Sequence, residues 1–306
     1  MGLLPRIQRP GSSGYGASTT AEQVTEGLDL SKKTYLITGC NSGLGEETVR
    51  VLILRGARVI ALARTLEKAE RIAHGTNDKV VPIACDLSEP RSIESAIISV
   101  REFQNKLDAV ICNAGVMRLP QLQSKYNCEL QLFTNHIGHF LLVMGLLDRL
   151  ASRGRVVMLS SSAHEMTRGK GIDFDNLSGE NGYSPWGSYA QSKLCNLLFA
   201  RHLATRLLER EQTANAVHPG VILTPLMKHM NPLIHVAGRL VSPVFMKTVA
   251  QGAATQVYVA THPSLERVSG RYFADCNEKK SSLEGDDPLL AAALWKKTEE
   301  IVAGLR

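Results

Sequence analysis

The sequence predicts an α/β domain in three layers, a doubly wound and mainly parallel sheet between two sets of helices. Two observations predict it. Short β-branched runs at 34–38, 58–63, 80–84, 108–112, 155–160 and near 214–218 alternate with longer helical patterns at 43–55, 66–74, 91–104, 128–151 and 188–209. The runs are apolar almost throughout, the pattern of strands covered on both faces. Strand–helix alternation with right-handed crossovers gives parallel neighbours. No internal repeat or linker divides the chain, so 30–306 reads as a single domain closed by an amphipathic helix at 287–303. Residues 1–29, rich in Gly, Ser, Thr and Pro, predict a flexible arm ahead of it.

Composition narrows the function. Hydrophobic residues at 44% and charged residues at 21% are globular proportions, which excludes a disordered chain. The net charge is +6, but the Lys and Arg are scattered, so no nucleic-acid partner is expected. The basic excess favours an anionic cofactor. The six cysteines, at 40, 85, 112, 128, 195 and 276, form no C-x-x-C pair and lie mostly in apolar stretches. They read as buried thiols in a reducing, intracellular, cytoplasmic setting. The N-terminus lacks an apolar signal core, and no run reaches the ~18 apolar residues of a membrane span.

The first strand runs into Thr38-Gly39-Cys40-Asn41-Ser42-Gly43-Leu44-Gly45 and then a helix. The turn needs residues without Cβ, and the helix start offers free N–H groups to a pyrophosphate, which makes Gly39, Asn41, Ser42, Gly43, Leu44 and Gly45 dinucleotide-binding candidates in a Rossmann-type fold. The spacing is G-x-x-x-G-x-G. The second strand ends in Ala63-Arg64 where an NAD site would carry a carboxylate, so Arg64 favours the 2′-phosphate of NADP(H) over NAD(H). At the third strand end, beside Leu87, Asp86 either accepts from the adenine amino group or caps the next helix. The fourth ends in Asn113-Ala114-Gly115, small enough for close backbone approach to a cofactor.

Tyr189 and Lys193 are four apart and share a helix face. An ammonium beside a phenol lowers its pKa and makes it a usable acid–base. The fifth strand ends in Ser160-Ser161-Ser162, which puts a hydroxyl at the carboxyl edge of the sheet, where it can steady charge on a substrate oxygen. Residues 223–248, with three prolines, follow a strand end, and we read them as an apolar substrate lid. Such a lid predicts a small lipophilic carbonyl or alcohol as substrate; the same residues could instead touch a membrane surface, or be an ordinary packing excursion.

Together the T-G-x-x-x-G-x-G loop, Asn113-Ala114-Gly115, the serine strand end and Y-x-x-x-K resemble a short-chain dehydrogenase/reductase over residues 30–280. Within that family the chain is similar to the retinol-dehydrogenase-like branch, which includes the chloroplast-envelope translocon-associated reductases. The residues are Asn135-His136-Ile137-Gly138-His139-Phe140, His218-Pro219-Gly220-Val221 and Ser269-Gly270-Arg271-Tyr272-Phe273, with the segment 18–24 like one ahead of the fold in plant and bacterial members. The resemblance implies Tyr189 as acid–base and Lys193 as its tuner, holding the nicotinamide ribose. It implies Ser161, the second serine of V-V-x-x-S-S, as the catalytic hydroxyl and Asn135 as anchor of a relay water. Pro219, Gly220 and Val221 would touch the nicotinamide, with Thr224 near its carboxamide or the pyrophosphate. Cys112 departs from the family's N-N-A-G, standing at the first Asn.

His136 and His139 have no evident third metal ligand, and the family puts them on a packing helix. His164 and Glu165 are expected at the substrate mouth, and His218 in a structural role. The resulting expectation is an NADP(H)-dependent oxidoreductase interconverting a lipophilic alcohol and its aldehyde or ketone, as monomer or homo-oligomer. The alternatives are a low-turnover NADP(H)-binding sensor or interaction protein, against which the intact Tyr/Lys/Ser/Asn set argues, and an epimerase-type relative, for which the chain is short.

Overall fold

A computed structural model describes residues 10–103, 106–222 and 246–305. Eight strands form one sheet: β1 (Thr34–Thr38), β2 (Arg58–Ala63), β3 (Val80–Ala84), β4 (Leu107–Cys112), β5 (Leu150–Leu159), β6 (Thr213–His218), β7 (Tyr272–Ala274) and β8 (Asn277–Glu278). Their order is β8-β7-β6-β5-β4-β1-β2-β3; β8 runs antiparallel to β7 and every other pairing is parallel. The Rossmann-type, doubly wound single domain expected from the sequence is therefore present. Successive strand residues point to opposite faces, which makes two cores. Tyr35, Ile37, Val59 and Ala61 pack under α2 (Gly43–Leu54) and α7 (Val249–Thr261). Leu36, Ile60, Leu62 and Val110 pack under α4 (Pro90–Phe103), α5 (Gly138–Leu146) and α6 (Pro185–Arg206). The short α3 (Leu66–Ala73) follows β2, and the closing helix α8 (Pro288–Ala303) lays Ala291 and Leu294 against α6.

Four expectations are corrected. Residues 10–29 are packed, not a loose arm. Thr20 and Gln23 form a reciprocal capping box that starts α1 (Ala21–Val24). That turn buries Ala21 and Val24 in the α2/α7 core, and Tyr15 meets Tyr258 edge-on at 5.5 Å. The helix predicted over 128–151 is interrupted. It begins as a short hairpin, Ser124–Lys125 with Cys128–Glu129, passes through a π-turn at Phe133–Ile137 and yields to β5 at Leu150. β5 starts five residues before the predicted 155 because Leu150 pairs with Leu107; the ladder then skips to Ala109 opposite Arg155, and the Gln212 amide donates to the carbonyls of Leu150 and Ala151. The helical stretch Leu130–Arg149 is also long and apolar enough to cross a membrane, against expectation, but 72% of its most apolar 18-residue window is buried within the domain, as befits a core helix.

Gly138 lets that stretch approach the β3–α4 loop. A Cβ there would lie 2.2 Å from the carbonyl oxygen of Leu87. Gly138→Ala is expected to cost about 2–3 kcal/mol through overpacking, read as a lower denaturation midpoint at unchanged m-value. A midpoint equal to wild type would mean the loop yields freely.

Candidate active site

The carboxyl ends of the strands open onto a cleft of 790 Å³. At one end β1 turns through Gly39 (φ +67°) into α2. The loop is closed tightly: a Cβ at Gly45 would lie 2.1 Å from the Gly39 carbonyl oxygen. Asn113 holds the turn from β4, its Nδ2 donating to the carbonyls of Thr38 (2.8 Å) and Gly39 (3.2 Å). Ser42 stands at the N-cap of α2 without a side-chain cap bond, leaving the first amides open to an anion.

Arg64, exposed at the end of β2, lines the same end of the cleft, together with Lys68 one turn into α3. Sequence reasoning passed over Lys68; its signal is the Thr65 N-cap, which accepts the Lys68 amide and turns that side of α3 to the cleft. Asp86 and Leu87 also line the cleft. Asp86 accepts the amide and hydroxyl of Ser88, so it caps the turn before α4, four residues ahead of Pro90 where the helix begins.

At the other end Ser161, Tyr189 and Lys193 converge. Of the three serines, Ser160 is buried and donates to the Lys193 carbonyl at 2.7 Å. Ser161 Oγ accepts the Ala163 amide at 3.1 Å and stands beside the Tyr189 hydroxyl. Ser161 thus caps a turn and also faces the phenol. Tyr189 and Lys193 are both buried. Burial pushes the phenol up to about 12, the neighbouring Ser161 hydroxyl pulling part of the way back. The expected lowering by Lys193 does not appear. The Lys193 Nζ lies 5.6 Å from the Tyr189 ring centroid and donates to the Leu159 carbonyl at 3.0 Å, and burial draws it down to about 8.

Asn135 stands behind the cleft wall, fully buried in the π-turn. Its Oδ1 accepts the Val116 amide (2.8 Å), and its Nδ2 donates to the Val116 carbonyl (3.0 Å) and to Ser192 Oγ (2.9 Å). Ser192, unmarked in the sequence, donates its own hydrogen bond to the Tyr189 carbonyl at 2.7 Å. Gly115 separates Asn135 from the cleft: a Cβ there would lie 3.0 Å from Asn135 Oδ1 and 3.6 Å from Lys193 Nζ.

Asn41, Ser42, Gly43, Leu44, Asn113, Ala114, Pro219, Gly220 and Val221 all line the cleft as expected, while Thr224 and most of the 223–248 lid lie outside the described residues. The chain on either side of that segment is joined, Ile222 bridging Lys247. His164 does not line the mouth: it is buried, its Nδ1 donating to the Ser161 carbonyl (2.6 Å) while its Nε2 accepts the Ser282 amide (3.2 Å). The mouth is made instead by Met117, Leu119, Met166, Trp186 and Val221. His218 accepts the Ser162 amide and borders the cleft. His136 and His139 are engaged with Thr298 and with Thr38 and Asn135, and all six cysteines are buried free thiols.

A long cleft with an anion cradle and two cations at one end, and Ser161 beside the buried Tyr189 and Lys193 at the other, can hold an extended, phosphate-bearing molecule against a smaller one. The family model for short chain dehydrogenases matches residues 33–233. The chain belongs to the short-chain dehydrogenase family. It is 40% identical to the short-chain dehydrogenase TIC 32 A, chloroplastic, of Brassica napus, over 97% of each chain. It is 39% identical to human retinol dehydrogenase 12, over 91% of this chain and 89% of that one. A crystal structure of an uncharacterized protein from Mycobacterium Paratuberculosis superposes with a TM-score of 0.70 at 32% identity, over 91% of this chain and 96% of that one. Among short-chain dehydrogenases the chain falls in the retinol-dehydrogenase-like branch, and it is an oxidoreductase.

Proposed function

We propose that this short-chain dehydrogenase interconverts a lipophilic alcohol and its aldehyde or ketone with NADP(H), Tyr189 acting as the acid–base. The observation that carries the reading is the Ser161–Tyr189 hydroxyl pair at the head of a cleft whose far end holds Arg64 and Lys68. The tight Gly39–Gly45 turn and the uncapped start of α2 suit a pyrophosphate, and the two cations suit a 2′-phosphate. When bound, the cofactor supplies or accepts the hydride. Ser161 and Tyr189 both present a hydroxyl to the substrate oxygen, and in the reductive direction Tyr189 gives it a proton. Near neutral pH the buried phenol holds that proton until negative charge develops on the oxygen. Lys193, fixed on the Leu159 carbonyl, keeps a positive charge within reach of the phenol's ring. The apolar mouth built by Met117, Leu119, Met166 and Trp186 favours a lipophilic substrate.

Fluorescence titration with NADPH and NADH tests the cofactor half, and a panel of lipophilic carbonyls tests the rest. Tight NADPH and weak NADH binding is expected; equal or better binding of NADH would overturn the preference. Arg64→Ala combined with Lys68→Ala is expected to weaken NADPH binding about 10- to 100-fold, the loss of one or two charge-assisted contacts. NADH binding should stay within about threefold. A matching loss for NADH would mean that the two cations shape the site instead of reading the phosphate.

A further inference from the structure

His139 lies one turn beyond Asn135, fully buried on the sheet side of the helix and out of the cleft. Its Nδ1 is 2.8 Å from the Asn135 carbonyl oxygen. A carbonyl can only accept, so Nδ1 carries a proton. Its Nε2 is 2.8 Å from Thr38 Oγ1. Burial holds the imidazole neutral near pH 7, so Nε2 has a lone pair and the Thr38 hydroxyl donates to it. Thr38 Oγ1 in turn accepts the Ala114 amide at 2.9 Å. The chain of bonds thus runs from the amide of Ala114 through Thr38 and His139 to the carbonyl of Asn135. It joins the last residue of β1, where the glycine turn begins, to the loop after β4 and to the π-turn ahead of α5. His136, three residues earlier, is held the other way round. Thr298 Oγ1 donates to the Leu294 carbonyl, so it accepts from His136 Nε2–H at 2.9 Å.

We propose that His139 is a positioning residue: as the Nδ1–H tautomer it ties Asn135 to Thr38 and Ala114, so that the cofactor turn and the π-turn are set as one unit. A site anchored in this way keeps Asn135, and the Val116 and Ser192 groups it bonds, aligned with a molecule lying on the β1 turn. Loss of the link misplaces those groups while leaving the cleft walls intact. The proposal rests on the NADP(H) reading for its functional consequence, and on the hydrogen-bond geometry together with the burial of the ring for its tautomer.

Nitrogen-15 NMR of the whole protein, with the His139 signals assigned from a His139→Phe variant, reads the tautomer directly. A protonated Nδ1 and bare Nε2 at His139, with the reverse at His136, is expected; a protonated Nε2 at His139 overturns the proposal. Addition of NADPH should then shift the His139 ring signals more than those of His136. If NADPH does not bind, the cofactor reading fails. If it binds and the His139 signals stay still, the positioning role fails. Turnover supplies the second arm. His139→Phe and Thr38→Val should each lower kcat by about 10²-fold, the effect of a small misplacement, with KM nearly unchanged. The double variant should be no worse than the poorer single one, and Thr38→Ser should restore most of the rate. Losses that multiply, or that follow the melting temperature, would show that the two residues only support the fold.

Discussion

Tyr189→Phe is expected to lower kcat by about three orders of magnitude, within the range contributed by a positioned acid–base group, while NADPH affinity stays within about threefold. The substitution removes only the hydroxyl. The ring stays buried and keeps its edge contact with Trp186, whose centroid is 6.2 Å away. The neighbouring Ser161 hydroxyl keeps its bond from the Ala163 amide, so no strong local rearrangement follows. The melting temperature should therefore hold or rise slightly. Steady-state kinetics beside cofactor titration separates the two effects. Turnover close to wild type in a variant that binds NADPH would remove Tyr189 from the chemistry.

Lys193→Met should remove nearly all turnover, about 10³-fold, and yet stabilise the protein. The side chain is buried and its amine is drawn down from 10.5 to about 8 by that burial. Below pH 8 both folded and unfolded chains carry the proton, and the folded state bears the whole cost of the buried charge. As pH rises from about 8 toward 10.5 the folded state sheds its proton first, so stability rises; above 10.5 both states are neutral and the cost is gone. That cost is about 3 kcal/mol at neutral pH, and methionine of similar length escapes it. Little is lost in exchange, because the Leu159 carbonyl keeps its bond from Asn196 Nδ2 at 2.9 Å. The variant should melt about 5 °C higher at pH near 7, the gap closing toward about pH 10. A variant less stable than wild type at neutral pH would mean that the ammonium is held by more than it costs.

Residues whose role follows from local spacing were readable in advance. Gly39 and Gly45 announce the turn because only the absence of a Cβ permits it, and Tyr189 and Lys193 share a helix face by periodicity alone. β1, β2 and β3 were placed to the residue, since each is a short buried run bounded by turn residues. Ser161 was separable from Ser160 only by resemblance; the structure separates them physically, Ser160 spending its proton on the Lys193 carbonyl. The arm at 10–29 was misread because Gly, Ser and Thr look the same in a loose chain and in a capped turn. What decides between them is an apolar surface to cover, here offered by α7 from the other end of the chain.

The sheet class, the glycine turn, the Tyr/Lys helix face and the basic residue after β2 are legible from the chain alone, because each is a matter of neighbours within a few positions. Packing settled that β5 begins at Leu150 opposite Leu107, that Asn135 reaches Val116 and Ser192, and that His139 bridges to Thr38. Those contacts join residues up to about a hundred positions apart. No local pattern encodes them: they arise when buried polar groups, shut off from water, must find their hydrogen-bond partners on whichever element packing has brought beside them.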